Sequence, residues 1–126
     1  MKESGEMYLE TIYRLSETGR LPVKSVDVAK RLAISRPSVN RAVNTLKNDG
    51  YIIQQNYGDI MITEKGLAAA ERIFFKHRLI TQFLICSLSL SPAQAEEDAC
   101  RIEHVVSDVA VDSMIAYLQA HGVPLP

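Results

Sequence analysis

Apolar residues recur at helical spacing through most of this chain and at strand spacing only near its middle. Over residues 6–17, Met7, Tyr8, Ile12 and Leu15 form the stripe of an amphipathic helix, which Thr18-Gly19 ends. Ser25 is placed to cap a second helix with Val28, Ala29 and Leu32 on one face and Asp27 near its positive end. Ile34-Ser35 makes a short break. A third helix runs from about Arg36 or Pro37 to Asn48, turning Val39, Val43 and Leu46 inward. Pro37 is tolerated there because a first-turn residue has no intrahelical N–H bond to lose. Asp49-Gly50 closes the helix at a left-handed cap position.

The period then changes. Tyr51-Ile-Ile-Gln-Gln and Ile60-Met-Ile-Thr are β-prone runs flanking Asn56-Tyr57-Gly58-Asp59, which reads as a hairpin. Two helices joined by a tight turn and followed by a hairpin are the parts of a winged helix-turn-helix. Thr63 caps a long helix reaching about Cys86, with Ile73, Phe74, Leu79, Ile80, Phe83 and Leu84 on a broad apolar face. Ser91-Pro92-Ala93-Gln94 is a capping box that opens a helix over about 92–106. Ser107 caps a last one carrying Val109, Val111, Met114, Ile115 and Leu118, stopped by Gly122 and Pro124. The expected fold is mainly α: a winged helix-turn-helix domain with a small β-hairpin wing over 1–63, followed by a helical dimerisation domain over 64–126. The apolar faces after residue 64 exceed what so small a domain needs for its own core. A homodimer interface uses that surplus and lets two recognition helices meet two half-sites. The alternative is a self-contained monomeric helical subdomain.

Composition sets the class. With 126 residues, 47% hydrophobic and 23% charged, the chain is ordinary globular protein with room for one domain or a small domain plus a dimerisation unit. No apolar run reaches transmembrane length and no signal-peptide core follows the polar N-terminus, so a cytoplasmic protein without a membrane partner is expected. In that reducing setting Cys86 and Cys100 are expected as free thiols, core fillers or ligands, not a disulfide.

A net charge of −1 argues against nucleic acid until it is resolved along the chain. Residues 1–80 carry thirteen Lys/Arg against nine Asp/Glu, a net of +4, and residues 81–126 carry one against six, a net of −5. Arg20 to Lys47 alone holds seven Lys/Arg and one acid, Asp27. Such a distribution gives a basic face for phosphates and an acidic end that welcomes a cation. Within the basic stretch, Ser35, Arg36, Pro37, Ser38, Asn40 and Arg41 open the third helix with short polar and cationic side chains, the kinds that read base edges and phosphates. Arg36, Arg41 and Lys47 are placed to neutralise phosphates of double-stranded DNA, and Asn56 and Tyr57 of the wing to reach the backbone or a groove. A solvated polar helix face would look similar; the helix-turn-helix context and the local basic excess favour DNA.

At the acidic end, Cys100, Glu103 and His104 stand at i, i+3 and i+4 of the helix expected over 92–106. Thiolate, carboxylate and imidazole on one helix arc suit a divalent transition metal better than calcium or magnesium. A half-buried cysteine beside two solvated polar residues has the same spacing. Met7 and Glu10, also at helical spacing, form a second candidate pair upstream.

Several stretches together resemble one family. Glu6-Met-Tyr-Leu-Glu-Thr-Ile-Tyr, Ile34-Ser-Arg-Pro-Ser-Val, Leu46-Lys-Asn-Asp-Gly-Tyr-Ile, Ile62-Thr-Glu-Lys-Gly, Lys76-His-Arg-Leu and Ala99-Cys-Arg-Ile-Glu-His-Val-Val-Ser-Asp are similar, in order and spacing, to the diphtheria toxin repressor and manganese transport regulator family. The resemblance covers nearly the whole chain. It implies a homodimeric repressor of metal-uptake or metal-linked genes that binds operator DNA when a divalent metal is bound. It also implies metal ligands at Met7, Cys100, Glu103 and His104, matching the iron-responsive branch. Glu10 and His77 match additional ligands of the manganese-responsive branch, and His77 also an ancillary-site ligand of the iron branch. Thr81 and Glu96 depart from that ancillary site, standing where the iron branch has a Glu and a His.

Ligand chemistry agrees with the iron branch. A thiolate and a thioether disfavour manganese(II) relative to iron(II), cobalt(II), nickel(II) or zinc(II). Iron(II) is therefore the expected metal, with a manganese(II)-responsive repressor as the alternative. The expected mechanism has the metal tie the first helix, through Met7, to the second domain, holding two recognition helices about 34 Å apart. Two competing classes are a metal-independent winged-helix regulator sensing a small molecule and an enzyme using Cys100 and His104 as nucleophile and base. The second has no oxyanion-hole motif or Gly-rich substrate loop to support it, so neither catalysis nor a small organic substrate is expected.

Overall fold

A computed structural model describes residues 1–126 as six α-helices and one two-stranded sheet. The chain divides into two compact units, Met1–Glu71 and Arg72–Pro126.

The first unit holds α1 (Glu3–Leu15), α2 (Ser25–Leu32), α3 (Arg36–Asn48), β1 (Ile52–Gln54), β2 (Ile60–Ile62) and the opening turns of α4 (Glu64–Leu88). The three helices pack on one another and α3 also packs on β1. Of the inward faces expected from the periods, Ile12 of α1, Val28 and Ala29 of α2, and Val39, Val43 and Leu46 of α3 are buried, while Met7, Tyr8, Leu15 and Leu32 are half-buried and Leu9, outside the expected stripe, is fully buried on α1. Burying one such aliphatic side chain is worth about 1.5–3 kcal/mol. The antiparallel hairpin pairs Ile52 with Ile62 and Gln54 with Ile60, and its turn closes through Gln55 N–H to Asp59 O (2.8 Å) and Gly58 N–H to Gln55 O (2.9 Å). Val23 adds a bridge to Ile60, so the segment leading into α2 is bonded to the wing.

Local differences from the sequence expectation have physical reasons. The first helix starts at Glu3, not residue 6, with Glu3 and Glu6 in the turn where the helix dipole favours acids. The residue capping α2 is Lys24, not Ser25. Asp27 accepts from the Lys24 backbone N–H (3.2 Å), and this return bond moves the start back by one residue. The turn into α3 is made by Ala33 in the left-handed region (φ 55°). Ser35 then caps α3, accepting from Ser38 N–H (3.3 Å).

Thr63 and Gly66 bind the start of α4 to the α3–β1 turn. Thr63 Oγ1 accepts from Gly66 N–H (3.1 Å) and donates to Gly50 O (2.6 Å), while Thr63 N–H donates to Tyr51 O (3.1 Å). Lys65 Nζ donates to Asp49 O (2.6 Å) and lies over the Tyr51 ring. Only a residue without a Cβ fits at Gly66, where a Cβ would stand 1.9 Å from Tyr51 O. These contacts keep the first turns of α4 with the first unit, whereas the sequence pattern marks a boundary after residue 63.

In the second unit, the rest of α4 packs with α5 (Pro92–Ile102) and α6 (Asp108–Ala120). Ile80, Leu84, Ala95 and Ala99 form its buried centre, flanked by Phe83, Leu90, Ile102, Val106 and Met114. Two small residues on the α5 face let that helix approach closely. Ser91 and Ser107 cap α5 and α6 as their positions predict, accepting from Gln94 N–H (3.2 Å) and Ala110 N–H (3.1 Å). The α5 helix stops at Ile102, short of the expected 106, where Val105 gives its N–H to Ile102 O, three residues back, in place of the helical partner four residues back. Ile85, Leu88, Val105 and Val109 remain exposed, the apolar surplus anticipated from the pattern. No helix is long and apolar enough to cross a membrane.

Candidate functional site

The second unit gathers three of the residues singled out in the sequence. His77, on α4, and Cys100 and Glu103, at the end of α5, bring their imidazole nitrogen, sulfur and carboxylate oxygen within 4.8 Å of one another. His77 Nδ1 is 2.9 Å from Glu103 Oε2 and 3.7 Å from Cys100 Sγ. His104 joins through the other carboxylate oxygen, with Nε2 at 3.2 Å from Glu103 Oε1. On the far side of the His77 ring, Nε2 faces Glu96 Oε1 at 3.7 Å.

Helix geometry explains this placement. Glu103 keeps helical angles as the cap of α5 and donates its N–H to Ala99 O (3.0 Å), so it stays on the Cys100 side of the helix although α5 has formally ended. His104 lies past the helix end, in a tight turn, so the three residues are not one uninterrupted helical arc as their spacing implied. His77 comes from a different helix, 26 residues upstream of Glu103, and no periodicity in the sequence joins the two. The His77 ring is also stacked against Phe74 one turn earlier (centroids 6.1 Å apart).

Burial gives the cluster its chemistry. Glu103 is 0% exposed and His77 4%, while Cys100 is half-buried. A carboxylate removed from water costs several kcal/mol unless opposite charge or hydrogen bonds replace its hydration. Here an imidazole lies on each oxygen. The donor set fits a divalent transition metal: thiolate, imidazole and carboxylate are its common protein ligands, and metal binding keeps the thiol deprotonated. Cys86 and Cys100 are both free thiols, and Cys86 lies on the exposed face of α4, away from this cluster.

Met7 and Glu10 stand one turn apart on α1 in the first unit. Met7 is half-buried and accepts a bond from Thr11 Oγ1 at its carbonyl (2.9 Å). Glu10 is buried, with Arg14 Nη2 3.9 Å from its carboxylate.

On the recognition side, Ser35, Arg36, Pro37, Asn40, Arg41 and Lys47 are all exposed along α3. Ser38 is half-buried, and its hydroxyl accepts from Arg41 Nη2 (3.1 Å) and from Ser35 Oγ (2.9 Å), which orients the arginine along the helix. Between this end of α3 and the wing runs a groove of about 260 Å³, lined by Lys24, Ser25, Arg36, Asn40, Gln54 and Tyr57, with Val26 and Gly58. Lys24, Ser25 and Gln54 are absent from the DNA-contacting residues expected from the sequence. They meet in one groove because the wing returns to the start of α2, a contact between residues 35 apart. Lys24 Nζ donates to Asp59 Oδ1 at 2.6 Å, and that bond, with the aspartate's charge, holds the ammonium above the ordinary lysine value of 10.5.

Comparison with known proteins accords with both halves. Residues 1–60 match the profile of the iron dependent repressor N-terminal DNA binding domain, and residues 63–122 that of the iron dependent repressor metal binding and dimerisation domain. A helix-turn-helix-type transcriptional regulator of Methanocaldococcus jannaschii is 34% identical over 119 residues, covering 94% of this chain and 95% of that one. The iron-dependent repressor IdeR of Mycobacterium tuberculosis is 37% identical over 129 residues, which cover 98% of this chain and 56% of IdeR. The solved structure of the manganese regulator SloR superposes with a TM-score of 0.78 at 31% identity, covering 97% of this chain and 59% of that one. The chain thus spans little more than half the length of these last two proteins. It belongs to the iron-dependent repressor family, that of the diphtheria toxin repressor, whose members are metal-dependent transcriptional repressors and not enzymes.

Proposed function

We propose that this chain is a cytoplasmic, homodimeric transcriptional repressor that binds operator DNA when loaded with iron(II) and controls genes of metal uptake or homeostasis. The observation that carries this reading is the grouping of His77, Cys100 and Glu103 around a wholly buried carboxylate. His77, Cys100, Glu103 and His104 would hold the metal. When bound, it supplies the positive charge that the buried Glu103 carboxylate needs and favours the thiolate of Cys100.

The remaining assignments follow from the sequence. Residues 1–63 act as the DNA-binding domain and 64–126 as the dimerisation and metal domain. Met7 and Glu10 enter the ligand set on the strength of the resemblance. Exposed Ile85, Leu88, Val105 and Val109 are available for a subunit interface. Ser35, Arg36, Pro37, Ser38, Asn40, Arg41 and Lys47 face the duplex: the cations on phosphates, the short polar groups at base edges. Metal can raise DNA affinity only by binding the DNA-competent arrangement more tightly, so DNA must tighten metal binding by the same factor.

A manganese(II)-responsive repressor is the second reading. It is favoured by His77, which matches a ligand of the manganese branch and lies in the buried cluster, and by the likeness to the manganese regulator SloR. The soft Cys100 thiolate weighs toward iron(II). The deciding experiment measures DNA binding anaerobically with iron(II), manganese(II), zinc(II) and chelator in parallel. Tightening by iron(II) and not by manganese(II) at equal free concentration supports the iron reading. Affinity unchanged by chelator overturns metal control altogether.

A further inference from the structure

The groove between α3 and the wing has one wall tied by an ion pair that the DNA-binding surface does not itself require. Val23 and Ile60 exchange both backbone hydrogen bonds (3.0 and 2.7 Å), which sets Lys24 directly beside the wing turn. From there Lys24 Nζ reaches Asp59 Oδ1 at 2.6 Å and lies 5.9 Å from the centre of the Tyr57 ring. Lys24 is also the residue from which α2 starts, its N–H bonded to Asp27 Oδ2 (3.2 Å). One residue therefore joins the start of the first helix of the helix-turn-helix to the tip of the hairpin. Gln54, whose Nε2 donates to Gly58 O (3.3 Å), stiffens the same turn from within.

We propose that Lys24 is a positioning residue for DNA binding: by pairing with Asp59 it holds the wing, and Tyr57 with it, at a fixed distance from Arg36 and Asn40. The proposal rests on the reading of α3 and the wing as the DNA surface. Lys24 is the one cation of the Arg20–Lys47 basic stretch whose charge is already balanced by a carboxylate at hydrogen-bond distance across the groove wall. Its contribution is thus the placement of the wing, not a phosphate contact.

The two roles separate by salt dependence. A lysine that neutralises a phosphate releases a counterion, and removing it flattens the plot of log affinity against log salt by about 0.9. A lysine already balanced by Asp59 releases none. The test uses the metal-loaded full chain and a duplex enriched by it from a random-sequence pool. Lys24→Met should lower affinity about two- to five-fold, the size of an exposed ion pair's effect, with the salt slope unchanged. Asp59→Asn should steepen the slope by about 0.9 as the lysine is released toward the backbone. In Lys24→Met/Asp59→Asn the second change should add no further loss, and hydrogen exchange at the Gln55 and Ile60 amides should quicken in all three variants. A slope flattened by about 0.9 in Lys24→Met, or additive losses in the double variant, overturns the positioning role. Failure of the wild-type chain to enrich any duplex overturns the DNA reading instead.

Discussion

Gly66 offers a quantitative test of how the start of α4 is fastened. In Gly66→Ala the new Cβ would stand 1.9 Å from Tyr51 O and 2.9 Å from Ile62 Cγ2, where real Cβ atoms essentially never come closer than 3.0 Å. The atom struck is a backbone oxygen, so relief requires the α3–β1 turn and the α4 start to separate by about 1 Å. Overpacking of this kind costs about 1–3 kcal/mol, and the Thr63 N–H bond to Tyr51 O is lost with it, for about 1 kcal/mol more. Alanine returns about 1 kcal/mol in helix propensity. The net is a destabilisation of about 1–3 kcal/mol. Gly5→Ala in α1 is the control. Its Cβ meets only the flexible Met1 Cγ at 3.0 Å, so the propensity gain should prevail and raise stability by up to about 1 kcal/mol. Urea unfolding followed by circular dichroism, with chelator present throughout, reads both variants. A midpoint for Gly66→Ala equal to or above that of the unmodified chain would refute the packing argument.

Four further outcomes are expected. Cys100→Ser should remove the sulfur-to-metal charge-transfer absorption of the cobalt(II)-loaded protein; an unchanged spectrum would exclude Cys100 as a ligand. His77→Ala should weaken cobalt(II) binding by isothermal titration, and unaltered binding would leave His77 outside the ligand set. Ser91→Ala removes the acceptor for Gln94 N–H and should cost about 1 kcal/mol in urea unfolding, with no loss contradicting the capping role. Because the folded-state value of Lys24 is raised, its pair with Asp59 contributes fully below the ordinary lysine value of 10.5 and fades as pH rises through the higher folded value. Wing-amide exchange corrected for its intrinsic base catalysis should therefore show constant protection from neutral pH to about 10 and loss above, and an earlier loss would contradict this.

Local order was legible because it is written in neighbouring residues. The caps at Ser35, Ser91 and Ser107, the stop at Asp49-Gly50 and the hairpin around Gly58 follow from side chains within a few positions of the bond they make. What escaped depends on distant contacts. His77 drew attention only through family resemblance, since its partner lies at the far end of the next helix, 26 residues on, and nothing near Lys24 announces Asp59. The early end of α5 was hidden for a related reason: apolar Val105 and Val106 continue the helical pattern while the Val105 N–H has already tightened onto Ile102 O, three residues back. Metal-ligand spacing was therefore informative about which residues meet, and misleading about the helix that carries them.

The two-sided setting of His77 has one more consequence, for the single proton of a neutral imidazole. Its Nδ1 faces Glu103 and Cys100 and its Nε2 faces Glu96, so a neutral ring can donate toward only one side. If Nδ1 serves as a ligand, the proton belongs on Nε2, directed at the Glu96 carboxylate. Glu103 Oε2, at 2.9 Å, draws that proton to Nδ1 more strongly than Glu96, at 3.7 Å, draws it to Nε2, so ligation through Nδ1 would require the ring to change tautomer, and nitrogen-15 shifts of the His77 ring would report that change on metal loading.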